Sequence, residues 1–395
     1  MKTALLPLCL ISIGSLSAAE PPIPQFRSVD VDTNVEIGYG VAVADVDGDK
    51  KPDILLADKN LIVWYRNPTW EKFIIAQKLT ELDHVCVAAA DIDGDGKAEV
   101  AAGAGWNPGD TVNSGSVHYL VPPSDRTQRW EPVKLPHEPT VHRMRWVKNE
   151  KGKFDLVVVP LHGRGNKGGE GVGVRIMAYK KPTDPKQPWV TAVLDESLHM
   201  THNFDPVQWD NDNAQELLVA GKEGVFLLDP SGDQTKRTQL AGNEGGGAGE
   251  VRLGKLPGGK RFIATIEPMH GNQAVVYTPP AANQANALWS RNVIDDSIKD
   301  GHAVGCGDLL GLGSDQLVIG WRNMRGQGNT GVRLYVPLDS DGKNWKPTNI
   351  DGNAMACEDL CLADLNGDGR LDIVAAGRAT KNLKIYFNLG STSKN

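Results

Sequence analysis

Residues 41–57 read VAVADVDGDKKPDILLA, and two further stretches nearly copy them: VAAADIDGDGKAEVAAG at 87–103 and CLADLNGDGRLDIVAAG at 361–377. Each is an apolar run, a loop rich in Asp and Gly, and a second apolar run, and recurrence of such a unit marks a repeat architecture. In the first loop Asp45, Asp47 and Asp49 alternate with small or apolar residues and are followed by Asp53. The second sets Asp91, Asp93, Asp95 and Glu99 in the same places, and the third Asp364, Asn366, Asp368 and Asp372. Oxygen ligands so spaced around a tight turn suit Ca²⁺, which takes roughly six to eight of them at about 2.3 to 2.6 Å. Glycines such as Gly48, Gly94 and Gly367 let the backbone turn sharply enough to gather them. An EF-hand would need a Glu at the end of the loop and flanking amphipathic helices, and neither is present. Without a cation the clustered carboxylates would repel one another.

These segments resemble the FG-GAP/VCBS repeats of integrin-like β-propellers, a resemblance that implies calcium in the loop between the first two strands of a blade. Weaker copies fill the intervals. Trp209 to Asn213 followed by Glu216 keeps part of the loop, while stretches from Arg145, Val251 and Gly307 keep the strand-turn-strand outline and lose the carboxylates. A second marker has the same period: Trp70, Trp130, Trp189, Trp289 and Trp345 each introduce an alternating segment that reads as an outer strand. Inner strands are expected to begin near Gly40, Val85, His142, His202, Glu250, His302 and Glu358. The last unit lacks its outer strand, and Phe26 to Val31 is an outer strand with no unit before it. The expected fold is therefore all-β, a single seven-bladed β-propeller over residues 20–395 closed by its N-terminal strand pairing near Leu383 to Phe387.

Residues 1–19 read as a signal peptide, with Lys2, an apolar core and the small residues Ser17, Ala18 and Ala19 before Glu20. An exported protein, periplasmic or secreted, is expected. No later segment is apolar enough to span a bilayer. The net charge of -7 and the absence of basic clusters give no reason to expect nucleic acid as a partner. Cys86, Cys306, Cys357 and Cys361 all lie near inner strands, where burial as free thiols is expected, although an oxidising compartment permits a bridge.

In a propeller the starts of the inner strands and the loops between second and third strands share one face, opposite the calcium loops. That face collects His142, His202, His302, Glu250 and Glu358 at strand starts, with His84 close by. The loops add Trp106, His162 with Arg164, Glu267 with His270, Trp321 with Arg322, and Arg378; with His199, seven histidines are expected at one mouth. Imidazoles, carboxylates, guanidinium groups and indoles together suit a polar, ring-shaped substrate. His202, His270 and His302, with Glu250 or Glu267 as a carboxylate ligand, are a candidate set for Zn²⁺ or Mn²⁺.

The layout is similar to the propeller domain of the aldos-2-ulose dehydratase family, without that enzyme's cupin domains, and to propeller polysaccharide lyases. The resemblance implies β-elimination on an oxidised sugar. It suggests His142 or His202 as base, Arg322 or a metal as stabiliser of the enolate and Glu358 as acid, with Trp106, His162, Arg164, Trp321 and Arg378 around the carbohydrate. A non-catalytic glycan-binding propeller is the alternative, and a protein-binding propeller is disfavoured by the imidazoles. No helix follows the G-x-G stretches and no G-x-S-x-G elbow occurs, so neither dinucleotide binding nor a serine nucleophile is indicated.

Overall fold

The computed structural model describes residues 22–392 apart from 233, 285–286 and 324–328, so the expected leader lies outside the described residues. Seven sheets of four strands are present among them. Blade 1 comprises Gly40–Ala44, Asp53–Ala57, Leu61–Arg66 and Glu71–Gln77. Blades 2 to 6 repeat the pattern from innermost strands Cys86–Ala90, Val141–Lys148, Thr201–Val207, Glu250–Lys255 and Gly301–Gly307. Blade 7 combines Cys357–Ala363, Asp372–Gly377 and Asn382–Thr392 with Ile23–Asp32, which pairs antiparallel on its outer edge. Phe26 stands opposite Asn388 and Val29 opposite Ile385, so the chain ends close the ring as expected. The innermost strands contact one another in order, and Cys357–Ala363 meets Gly40–Ala44. The molecule is a seven-bladed β-propeller.

Burial follows from this stacking. Each sheet is covered on both faces by its neighbours, so second strands such as Asp53–Ala57 and Glu99–Ala104 are buried along their whole length and read as continuous apolar runs. Outermost strands such as Val190–Asp195 are largely exposed. The core is a series of inter-blade layers; one joins Ile54, Leu56 and Tyr65 of blade 1 to Val374, Ala376 and Ile385 of blade 7. Two of the recurrent Trp residues have a structural duty: Trp130 N–H donates to Ile75 O (2.9 Å) and Trp289 N–H to Leu240 O (2.8 Å), tying those two outer strands to the preceding blade. A second tie runs from a buried third-strand tyrosine to a carboxylate ending the preceding blade's outer strand. Tyr65 bonds Asp32 (2.6 Å), Tyr335 bonds Asp295 (2.7 Å) and Tyr386 bonds Asp351 (2.7 Å).

The four described cysteines are free thiols. Burial pushes Cys86 up to about 12, which keeps it protonated and inert.

Candidate active site

In blades 1 and 2 the innermost strand pairs without interruption, Gly40 opposite Ala57 and Cys86 opposite Gly103. In blades 3, 4, 6 and 7 the ladder skips one residue just inside the strand start, and the skipped residues are His142, His202, His302 and Glu358. A bulged residue leaves the two-residue alternation and its backbone groups lose their ladder partners. Both consequences are used here. The side chains gather at the channel mouth, and imidazoles of adjoining blades take up backbone carbonyls: His142 Nδ1 bonds His202 O (2.7 Å) and His302 Nδ1 bonds Glu358 O (2.5 Å). His202 Nδ1 bonds Gly249 O (2.6 Å) in blade 5. A carbonyl can only accept, so each Nδ1 carries the proton. Burial holds His142, His202 and His302 well below the usual histidine range, with neighbouring cationic groups, Arg143 among them, adding to it. Each is therefore neutral at physiological pH, with its lone pair at Nε2.

His270 reaches the same place from the exposed loop after the second strand of blade 5, with a left-handed backbone (φ 55°). Non-glycine residues in that region carry strain, and functional sites are where such strain collects. Its Nε2 stands 2.6 Å from His202 Nε2, and burial followed by His202 and Arg322 pushes it down to about 2. Ligand atoms of His202, His270 and His302 all lie within 4.8 Å of one another. His202 Nε2 has no proton to give, so only a proton on His270 or a shared cation explains the contact; three neutral nitrogens, two of them oriented through Nδ1, fit a Zn²⁺- or Mn²⁺-type site.

Several expected residues stand elsewhere. Glu250 is not in this ligand set: the innermost ladder of blade 5 has no bulge, Glu250 stays in it opposite Ile266, and its carboxylate lies behind His202 at Nδ1 (3.1 Å), accepting from Asn203 (2.6 Å). His202 belongs to the triad through Nε2, while His142 stands outside it, its Nε2 3.2 Å from Arg143 Nη1. Glu358 has both oxygens occupied, one by Arg322 (2.8 Å) and the other by Arg378 (3.0 Å). Arg322 in turn is bound to Asp300 (2.9 Å) as well, so its charge is already matched by two carboxylates and is not free for an enolate. Trp321 is no sugar platform: it is buried between blades 5 and 6 and its indole N–H donates to Asn329 O (2.6 Å). Arg164 turns outward to Val112 O and Glu138. His162 is buried with no ring contact to the cluster, His84 accepts from Leu79 N–H (3.1 Å), and His199 pairs with Glu223 (2.9 Å). Four of the seven expected histidines therefore meet, because only bulged strands and the His270 loop turn inward.

Trp106 does reach the mouth, stacked on His142 with ring centroids 4.8 Å apart. Arg378 lies 5.1 Å over the ring of Tyr39, whose hydroxyl donates to Asp83 (3.0 Å). Tyr39, Asp300 and Arg143 were not anticipated. The adjoining histidine or glycine in the sequence is the only signal for them, and it does not report orientation.

At the opposite end, Asp45, Asp47 and Asp53 converge, as do Asp91, Asp93 and Glu99; the weaker copy adds Asp210, Asp212 and Glu216. Asp49 turns away to Lys51 (2.7 Å). Asp95 likewise lies outside its converging set. In the third loop Asn366 takes the place of Asp47 and Asp93, and Asp368 is held by Arg370 and Asn366. The last acid of each loop also braces the turn, Asp53 accepting from Val46 N–H (2.9 Å) and Asp372 from Leu365 N–H (3.0 Å). Gln316 does the same for Leu310 (2.8 Å) without a charge, so this bracing needs no metal.

Residues 45–102 match the FG-GAP-like repeat family and residues 87–120 the FG-GAP repeat. The chain carries FG-GAP repeats. Residues 114–280 match the β-propeller domain of aldos-2-ulose dehydratase, the span that supplies His142, His202 and His270. Aldos-2-ulose dehydratase of Phanerodontia chrysosporium is 24% identical over 285 residues, covering 65% of this chain and 31% of that protein. The chain thus spans about a third of that relative's length. Among solved structures, a chain of the mitotic checkpoint complex aligns over 99% of this chain and 100% of its own, with TM-score 0.59 and 13% identity. The rhamnogalacturonan lyase YesW aligns over 94% of this chain and 77% of its own, with TM-score 0.50 and 16% identity. Identities this low show a shared fold alone. Among the described residues no helix is long and apolar enough to cross a membrane.

Proposed function

We propose that this propeller is an exported carbohydrate lyase or dehydratase that performs β-elimination on an oxidised sugar at its histidine-rich mouth. The observation that carries the reading is the convergence of four neutral imidazoles, three of them with the proton held at Nδ1 by a backbone carbonyl. The match to the aldos-2-ulose dehydratase propeller over residues 114–280 supports a sugar as substrate.

In this reading His142 is the base. A C–H bond next to the substrate carbonyl breaks, its proton passes to His142 Nε2, and its electron pair forms the double bond of an enolate. The carbonyl then re-forms, the β carbon–oxygen bond breaks with its pair leaving on oxygen, and the imidazolium returns the proton to that oxygen. The products are an unsaturated carbonyl and water or an alcohol. Arg143 Nη1 stands 3.2 Å from His142 Nε2, a long contact that must open further for the proton to be received. Trp106 supplies an aromatic face beside the base. His202, His270 and His302 would hold a divalent ion, Zn²⁺ or Mn²⁺, whose chemistry is to favour negative charge on an adjacent oxygen. Ca²⁺ is proposed for the carboxylate loops on the far face, as a structural ion.

Incubating the purified protein with oxidised and unoxidised glycosides, with detection at the ultraviolet absorbance of an enone, tests the proposal. Absorbance is expected to grow with the oxidised sugars alone. Binding of glycans without any enone, in metal-replete protein, would replace the lyase by a glycan-binding propeller.

A further inference from the structure

We infer that Arg143 is the anion-binding residue of this mouth and that the substrate is a sugar acid whose carboxylate it grips side-on; the identity of the ligand as a sugar rests on the reading above. Arg143 follows the bulged His142 and is buried, only 3% exposed. Its Nη1 donates to Nε2 and to the carbonyl oxygen of His142, both at 3.2 Å. Its Nε and Nη2 are buried and bond nothing.

Those two atoms form one edge of the guanidinium, with parallel N–H bonds that match the two oxygens of a planar anion. A buried donor left without an acceptor is costly, and a charged one more so. The other arginines of the mouth have their carboxylates, Arg322 with Glu358 and Asp300, Arg378 with Glu358. Asp359 feels the charge of Arg143 but spends its oxygens on the amides of Val41 (2.9 Å) and Leu360 (3.0 Å). The acceptor for the free edge therefore comes from outside the chain.

Shape selects the anion. Nη1, on the opposite side of the guanidinium, touches His142 Nε2, and the free edge meets both oxygens of a carboxylate at once. A neutral keto-sugar offers one oxygen to the same fork.

Calorimetry of the full chain with D-galacturonate and D-galactose, in wild type and Arg143→Gln, with metal content and melting curve recorded for both, tests the inference. Wild type is expected to prefer the acid by about tenfold or more, in line with a two-pronged charged contact. Arg143→Gln should lose that preference and keep its affinity for galactose. Should Arg143→Gln fail to fold, Arg143→Lys keeps the charge without the fork and should also lose most of the preference. Equal binding of the two sugars by wild type, or a preference that survives both variants, would mean that water alone satisfies Arg143. Preference for the acid without any enone product would keep the anion site and remove the elimination reading. Elimination from neutral keto-sugars that is indifferent to Arg143 would do the reverse, and failure of both sugars to bind would overturn both.

Discussion

His142→Ala, His202→Ala and His302→Ala are each expected to lower turnover by about 10² to 10⁴, the usual loss with a positioned general base or the ion it works beside. Metal content separates the three. His202 and His302 belong to the set whose ligand atoms lie within 4.8 Å, so their removal should deplete Zn²⁺ or Mn²⁺ together with activity. His142 stands outside it, so His142→Ala should keep the metal and lose the rate. All three should fold, because the apolar layers lie between blades rather than at the mouth. Elemental analysis beside initial rates decides the matter. Wild-type elimination in all three variants would make the imidazoles structural and end the catalytic assignment.

Chelation of divalent ions is expected to lower the melting temperature, and to lower it more at pH 8 than at pH 5.5. Burial, followed by the charges of neighbouring acids after backbone bonds are counted, pushes Asp53 and Glu99 up to about 7. The folded state then holds protons that the unfolded chain has released above roughly pH 4. Stability of the metal-free protein therefore falls as pH rises from there through about 7, by on the order of 3 to 4 kcal/mol for each group at the upper end. A bound cation stabilises by RT ln(1 + [L]/Kd), about 2.7 kcal/mol for one site at a hundredfold excess over Kd, and Kd tightens as the carboxylates lose their protons. The calcium-dependent shift in melting temperature should consequently grow with pH. Identical melting curves in calcium and in chelator at both pH values would show that the loops close without metal, braced as Gln316 braces its own.

Sequence alone determined the ring. Three loop copies, a Trp before each of five outer strands, and complementary gaps at the two ends specify seven blades and their closure, because each depends on local pattern and on a count. It also determined which face carries the histidines, since strand order places every inner-strand start at one end. Membership of the site was decided only by the tertiary structure. His84, His142 and His202 all lie near strand starts in the sequence, yet only the latter two are skipped by the ladder. Glu250 and Glu358 occupy equivalent positions, and the presence or absence of a bulge sends one behind a ring and the other to the mouth. Trp106 and Trp321 close equivalent second strands, yet one stacks on His142 and the other fills an inter-blade layer. A bulge is set by the register in which two strands pair, and the idle edge of Arg143 by acceptors that the surrounding blades do not supply. Neither is written in the residues beside it, and so the chemistry at the mouth is a property of how the blades meet.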